Sequence, residues 1–157
     1  MIASSITDPR VVIFHHKVKL TASENWKFAT GKARGEYIKL VCADDLISKD
    51  CLQRQIFCLD NNPDVSIVAS RRSVIDADGR VVIQKHGLLF LAGKVDGKRA
   101  LRRSIASGTN QFGEPASVLI RSQDLMGCRP WRSDFPYATD IDTYAQLLIK
   151  GSFYGLE

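Results

Sequence analysis

Two rhythms of apolar and polar positions alternate along the chain. "RVVIF" (10–14), "YIKLVC" (37–42), "VSIVASRRSVID" (65–76) and "ASVLIR" (116–121) are short runs rich in β-branched side chains and bounded by turn-forming residues. They read as strands. Asp78-Gly79 in "DADGRVVIQ" supplies a turn into a further strand, so residues from 65 onward form a hairpin. Between the strands the spacing becomes helical. Ser23 is placed to cap a helix over "ENWKFATGKA" that Gly35 ends. Ser48 is placed to cap "KDCLQRQIFCLD", where Leu52, Ile56 and Leu59 recur at helical spacing until Asn61-Asn62-Pro63 stops them. A basic helix around Arg99 to Ala106 precedes a glycine-rich loop, "SQDLMG" is a short helical turn, and "CRPWRSDFPYAT" is a loop. The chain closes with an amphipathic helix over "DIDTYAQLLIKG" (140–151), capped by Thr139, and a strand at "SFYGL". The order predicts an α/β domain with a mixed sheet and flanking helices. No repeat or linker divides it.

Length and composition agree with one globular domain. At 157 residues, 45% hydrophobic and 25% charged, the chain can bury a core and carries no low-complexity tract. The net charge of +5 favours anionic partners without choosing among nucleotides, nucleic acid and acidic headgroups. Cys42, Cys51, Cys58 and Cys128 form no CxxC pair and His15, His16 and His86 share no pattern, which argues against a zinc site and for reduced thiols. No segment reaches the roughly 18–20 apolar residues of a bilayer span. The expected location is cytoplasmic.

The chemistry centres on Asp44 and Asp45, which follow the strand 37–42. Ligands of open α/β sheets sit outside the carboxyl ends of strands. Adjacent carboxylates repel, and a hard divalent cation bridging to phosphate removes the repulsion. Turn formation and helix capping explain the same two residues, and on this stretch alone that explanation carries slightly more weight.

The wider context shifts the balance. "ENWKFATGKARGEYIKLVCADDLISKDCL" followed by "NNPDVSIVASRRSVIDADGRVV", and then "NQFGEPASVLIR" and "YATDIDTYAQLLIKG", resemble in order and spacing the successive segments of a family 2 glycosyltransferase. The resemblance runs from about Asp8 onward. It implies a GT-A fold and transfer of a sugar from a nucleotide-sugar donor to an acceptor hydroxyl, with inversion and a divalent cation, Mg²⁺ or Mn²⁺. By this resemblance Asp44 and Asp45 match the acidic motif that holds metal and donor diphosphate, with Cys42 standing at the motif's usual first acidic position. Asp140 matches the general base that takes the acceptor's proton. A carboxylate in the first turn of a helix also suits the macrodipole, whatever its chemistry. Asp142, two residues on, points elsewhere.

Gly113, Glu114 and Pro115 belong to a segment that either lines the acceptor side or only shapes the entry into a strand. Trp131 and Tyr137 can stack on a sugar, although partly buried packing under a loop is the commoner use. The implied partners are the nucleotide-sugar and a glycan or lipid-linked acceptor in cell-envelope polysaccharide synthesis, with peripheral attachment at the inner face of a membrane allowed. Nucleic acid is not expected: Lys98, Arg99, Arg102 and Arg103 lack interleaved aromatics and read as a solvated helix face. A non-catalytic pairing subunit is the other alternative.

One departure from the family pattern bears on activity. Relatives ordinarily open with a strand of Ile-Pro-Thr-Tyr-Asn type, a helix and a second strand that hold base and ribose, and "DPRVVIF" resembles the third strand of their sheet. The expectation is therefore an N-terminally truncated, partial catalytic domain over 1–157, with strand 37–42 left at an unpaired edge and little transfer by the isolated chain.

Overall fold

The computed structural model describes residues 5–157. Seven strands and five α-helices follow one another along them: α1 (Ala22–Lys32), β1 (Tyr37–Ile38), α2 (Cys51–Asp60), β2 (Val65–Ser70), β3 (Arg72–Ile75), β4 (Val81–His86), β5 (Gly93–Val95), α3 (Gly97–Ser107), β6 (Val118–Arg121), α4 (Ser122–Met126), α5 (Thr139–Leu148) and β7 (Ser152–Leu156). The main sheet has the order β1-β6-β2-β7-β5, and β3 and β4 form a separate two-stranded hairpin. β2 runs parallel to β7 and antiparallel to β6, while β5 is antiparallel to β7. The sheet is mixed, as the sequence predicts.

β2 is the centre of the fold because both of its faces are covered. Five of its six residues are buried, the continuous apolar pattern of a strand packed on two sides. Val65 and Val68 face Leu59 of α2 and Leu119, whereas Ile67 and Ala69 face Tyr144 and Leu147 of α5 with Phe112 and Phe153. Residues 65 and 68 share a face because the register shifts between Val65 and Ile67, which breaks the two-residue alternation. Each fully buried Leu, Ile or Phe here contributes roughly 1.5–3 kcal/mol of transfer free energy. On the other flank Trp131 docks α1, its indole Nε1 donating to Thr30 Oγ1 at 3.0 Å and its ring meeting Trp26 edge-on at 5.6 Å.

Several local expectations are corrected. Residues 10–14 form no strand; Val11, Val12, Ile13 and Phe14 are exposed, and Phe14 leans edge-on against Phe28 of α1. The strand expected over 37–42 is only Tyr37–Ile38. Its register pairs Tyr37 with Arg121 and Ile38 with Ile120, which would set Val41 against Ser117. Ser117 lies in a 3-10 turn (Pro115–Ser117), so pairing could not pass Leu40; the ladder in fact stops earlier, at Ile38, and the Lys39 side chain donates to the Val118 carbonyl. β1 is at an edge of the sheet, as anticipated.

The caps also move. Thr21, not Ser23, begins α1 through a reciprocal box with Glu24, and the helix ends at Lys32 before reaching Gly35. Asp50 rather than Ser48 precedes α2, and Ala138 rather than Thr139 precedes α5. Neither makes a side-chain capping bond. Gly108 closes α3 in the left-handed conformation (φ 66°), where a Cβ would be strained. Trp131 is buried rather than partly buried, and Tyr137 is fully exposed, so neither packs as expected under the loop.

Candidate active site

The turn after β1 gathers the acidic pair. Asp45 N donates to the Cys42 carbonyl at 3.2 Å, and the closed turn brings Cys42 Sγ and one oxygen each of Asp44 and Asp45 within 4.8 Å of one another. Burial leads the forces that raise the pKa of Asp45, with the charges of Asp44 and Glu114 adding to it. Burial likewise raises the Cys42 thiol, helped by Asp45 and Asp44. The donor set therefore fits a hard divalent cation through its two carboxylates, while Cys42 stays a neutral thiol that such an ion does not seek. A bound cation would remove the repulsion that now opposes ionisation of Asp45.

A cleft of about 580 Å³ opens beside this turn, lined by Asp44 and Asp45 on one side and by Arg71, Arg72 and Glu114 on the other. That volume suits a small-molecule ligand. The turn is held in place from beneath. Lys39, the residue after β1, reaches Gln55 Oε1 at 2.9 Å and the Val118 carbonyl at 3.3 Å, and Gln55 Nε2 donates to the Ser117 carbonyl at 2.8 Å and Ser70 Oγ at 2.9 Å. Gln55 is fully buried. Burial lowers the Lys39 pKa, against the opposing pull of Cys51 and Asp45.

The far wall is built by the loop 110–115. Asn110 Oδ1 accepts from the backbone N–H groups of Phe112 and Gly113, each at 3.1 Å, and its Nδ2 donates to the Gly113 carbonyl and to Asp140 Oδ2, each at 3.0 Å. A single amide thus shapes the turn and ties it to α5. Gly113 has φ 92°, and a Cβ there would press on Ser117 Oγ and lie 2.9 Å from Arg72 Nη1. Glu114 forms an ion pair with Arg72 Nε at the cleft rim. Pro115 is buried at the first position of the 3-10 turn, where its missing N–H costs nothing.

Asp140 does not line the cleft; it is joined to it through Asn110 and through the field of Glu114. It sits half-buried in the first turn of α5. Burial raises its pKa, and Glu114 raises it further, against hydrogen bonds from Ile141, its own backbone and Asn110. A raised pKa makes the ionised carboxylate a stronger base than a free one. Asp142 behaves oppositely: Arg132 grips it through Nε at 2.8 Å and also through Nη2, holding its pKa below the ordinary range. It serves the loop, not the cleft. Tyr144, one turn after Asp140, is completely buried with no partner for its hydroxyl, and burial pushes its pKa well up.

The structure therefore brings Asp44, Asp45, Glu114 and Asp140 into one electrostatic neighbourhood, since the charge of Glu114 acts on both Asp45 and Asp140. A family model described as glycosyl transferase family 2 matches residues 1–125. The chain belongs to that family. The match takes in the acidic turn, Arg72 and the loop 110–115, and stops short of Asp140. No curated protein matches the chain. This family 2 glycosyltransferase-like enzyme carries a sugar-transfer fold with a metal-competent Cys42-Asp44-Asp45 cluster. Among the described residues no helix is long and apolar enough to cross a membrane. Arg72, Asn110, Gln55 and Lys39 complete the site and were not singled out in the sequence.

Proposed function

We propose that the chain transfers a sugar, with inversion, from a nucleotide-sugar donor to the hydroxyl of a glycan or lipid-linked acceptor in cell-envelope polysaccharide synthesis, at the inner face of the membrane. The reading rests on one observation: the cleft lined by Asp44, Asp45 and Glu114 is tied to Asp140 by Asn110, the residue that shapes the loop carrying Glu114 and donates to Asp140 Oδ2 at 3.0 Å. Asp44 and Asp45 would hold Mg²⁺ or Mn²⁺, which supplies charge neutralisation for the departing diphosphate. Asp140 takes the proton from the acceptor hydroxyl as that oxygen attacks the anomeric carbon. Its raised pKa makes it a competent acceptor of that proton near neutrality. Gly113, Glu114 and Pro115 form the acceptor-side wall, and Arg72 restrains Glu114 so that the wall keeps its shape.

The test is turnover of a panel of nucleotide-sugars with Mn²⁺, by wild type and by Asp140→Asn. Metal-dependent release of nucleoside diphosphate that Asp140→Asn lowers by roughly 10²–10⁴-fold supports the assignment. Equal turnover by both proteins refutes the role of Asp140.

A further inference from the structure

We propose that the loop 87–92 and the exposed side of α3 form a docking surface for an anionic lipid bilayer. Leu88 and Leu91 of this loop are buried in the core, and Gln111 clamps it: the Gln111 carbonyl accepts from Leu88 N at 2.9 Å and Gln111 Oε1 from Leu89 N at 2.8 Å. The clamp turns the two residues between them outward. Leu89 is 53% and Phe90 75% exposed. Leu88 and Phe90 both have φ 57°, a left-handed conformation that bulky side chains avoid. The fold thus holds a strained backbone in order to present two large apolar groups to solvent.

The neighbouring helix supplies the charge. Arg103 Nη1 donates to the Phe90 carbonyl, which fastens the loop beside α3. Lys98, Arg102 and Ile105 follow at helical spacing along one exposed row, and Arg99 begins the row that ends at Arg103. No acidic residue lies within α3. Ile105 is 76% exposed, so the basic ridge is flanked by apolar groups on both sides, Ile105 on one and Phe90 on the other. Apolar tips among cations match the interfacial layer of an anionic membrane: the tips reach the acyl boundary and the cations meet phosphate. A nucleic-acid duplex would use the cations at its phosphates and leave Phe90 and Leu89 without an apolar partner.

The surface also lies on the acceptor side of the cleft. Gly87, at the base of the loop, packs so close to Arg72 that a Cβ would collide with Nη1, and Arg72 holds Glu114. Docking would therefore bring the acceptor wall to the membrane. This purpose rests on the transfer reading; the docking itself does not.

Flotation of the full chain separates the two, because it reads binding without turnover. Wild type is expected to float with vesicles of phosphatidylcholine and phosphatidylglycerol and not with phosphatidylcholine alone. Lys98→Gln with Arg102→Gln should weaken binding by roughly 25-fold, about fivefold for each cation removed. Phe90→Ser should weaken it by about tenfold or more. Melting temperatures near that of wild type show that these exposed substitutions leave the fold intact. Failure of wild type to float, or variants that bind as wild type does, overturns the proposal. So does binding to polynucleotide that depends on Lys98 and Arg102, with Phe90→Ser silent on vesicles.

Discussion

Asp140 and Asp142 sit two residues apart on α5 and should respond to the same substitution with opposite signs. Asp140 is destabilising as a carboxylate: burial and Glu114 raise its pKa above the unfolded value, about 4. A carboxyl of raised pKa costs the folded state nothing while protonated, and its cost grows as pH rises from the unfolded pKa through the folded one. Asp140→Asn removes that cost. It gives back part of the gain by losing a favourable charge at a helix N-terminus, roughly 0.3–1 kcal/mol, and the expected net effect at pH 7 is a gain in stability.

Asp142 is stabilising as a carboxylate, because Arg132 lowers its pKa. Its side chain is 14% exposed and Arg132 30%, so solvent screens the pair incompletely. Asp142→Asn should cost about 1–2 kcal/mol, between the values for a surface pair and for a buried charged hydrogen bond. For a chain of this size 1 kcal/mol moves the melting temperature by roughly 2–4 °C. Asp142→Asn should therefore melt roughly 2–8 °C below wild type at pH 7 and Asp140→Asn above it. The gain from Asp140→Asn should vanish as pH falls below about 4, where wild-type Asp140 is itself protonated. Thermal unfolding by circular dichroism from pH 3 to 8, beside turnover, reads both effects. An Asp140→Asn variant that melts below wild type at pH 7, or keeps the same offset at every pH, refutes the account of Asp140.

The remaining predictions concern the cleft and its support. Asp45→Asn should abolish Mn²⁺ binding measured by calorimetry while Cys42→Ser leaves it within about twofold, since a protonated thiol is not a ligand of a hard ion; the reverse order would make Cys42 a ligand. Gly113→Ala should lower stability by about 1–3 kcal/mol in denaturant titration, from positive φ and from the collision with Ser117 and Arg72; an unchanged midpoint would show that the loop adapts. Gln55→Leu should cost about 2–4 kcal/mol, because it leaves the Lys39 ammonium and the Ser117 carbonyl short of a partner in a buried site. A loss below 1 kcal/mol would mean that water replaces the amide.

Local pattern carried the elements whose cause is local. The Asp78-Gly79 turn, α3 and α5 were legible because turn chemistry and helical spacing act over a few residues, whereas the single strand expected over 65–76 is divided between β2 in the main sheet and β3 in the hairpin. The acidic pair stood out as carboxylates following a strand, but turn formation explained it at least as well locally, and Asp140 stood out only through the resemblance to the family. Strand length was not legible: "YIKLVC" has strand character throughout, yet only Tyr37 and Ile38 pair, with Arg121 and Ile120 of a strand distant in the sequence. Nor was the lack of a strand at residues 10–14, which have the composition of one and join neither sheet. The same logic separates Asp140 from Asp142. Their shared side chain says nothing about which ionises readily; Arg132 and Glu114, brought in from other parts of the chain, set the two pKa values apart. Propensity and periodicity are written in neighbouring residues, whereas pairing, burial and electrostatic field depend on segments that meet only once the chain has folded.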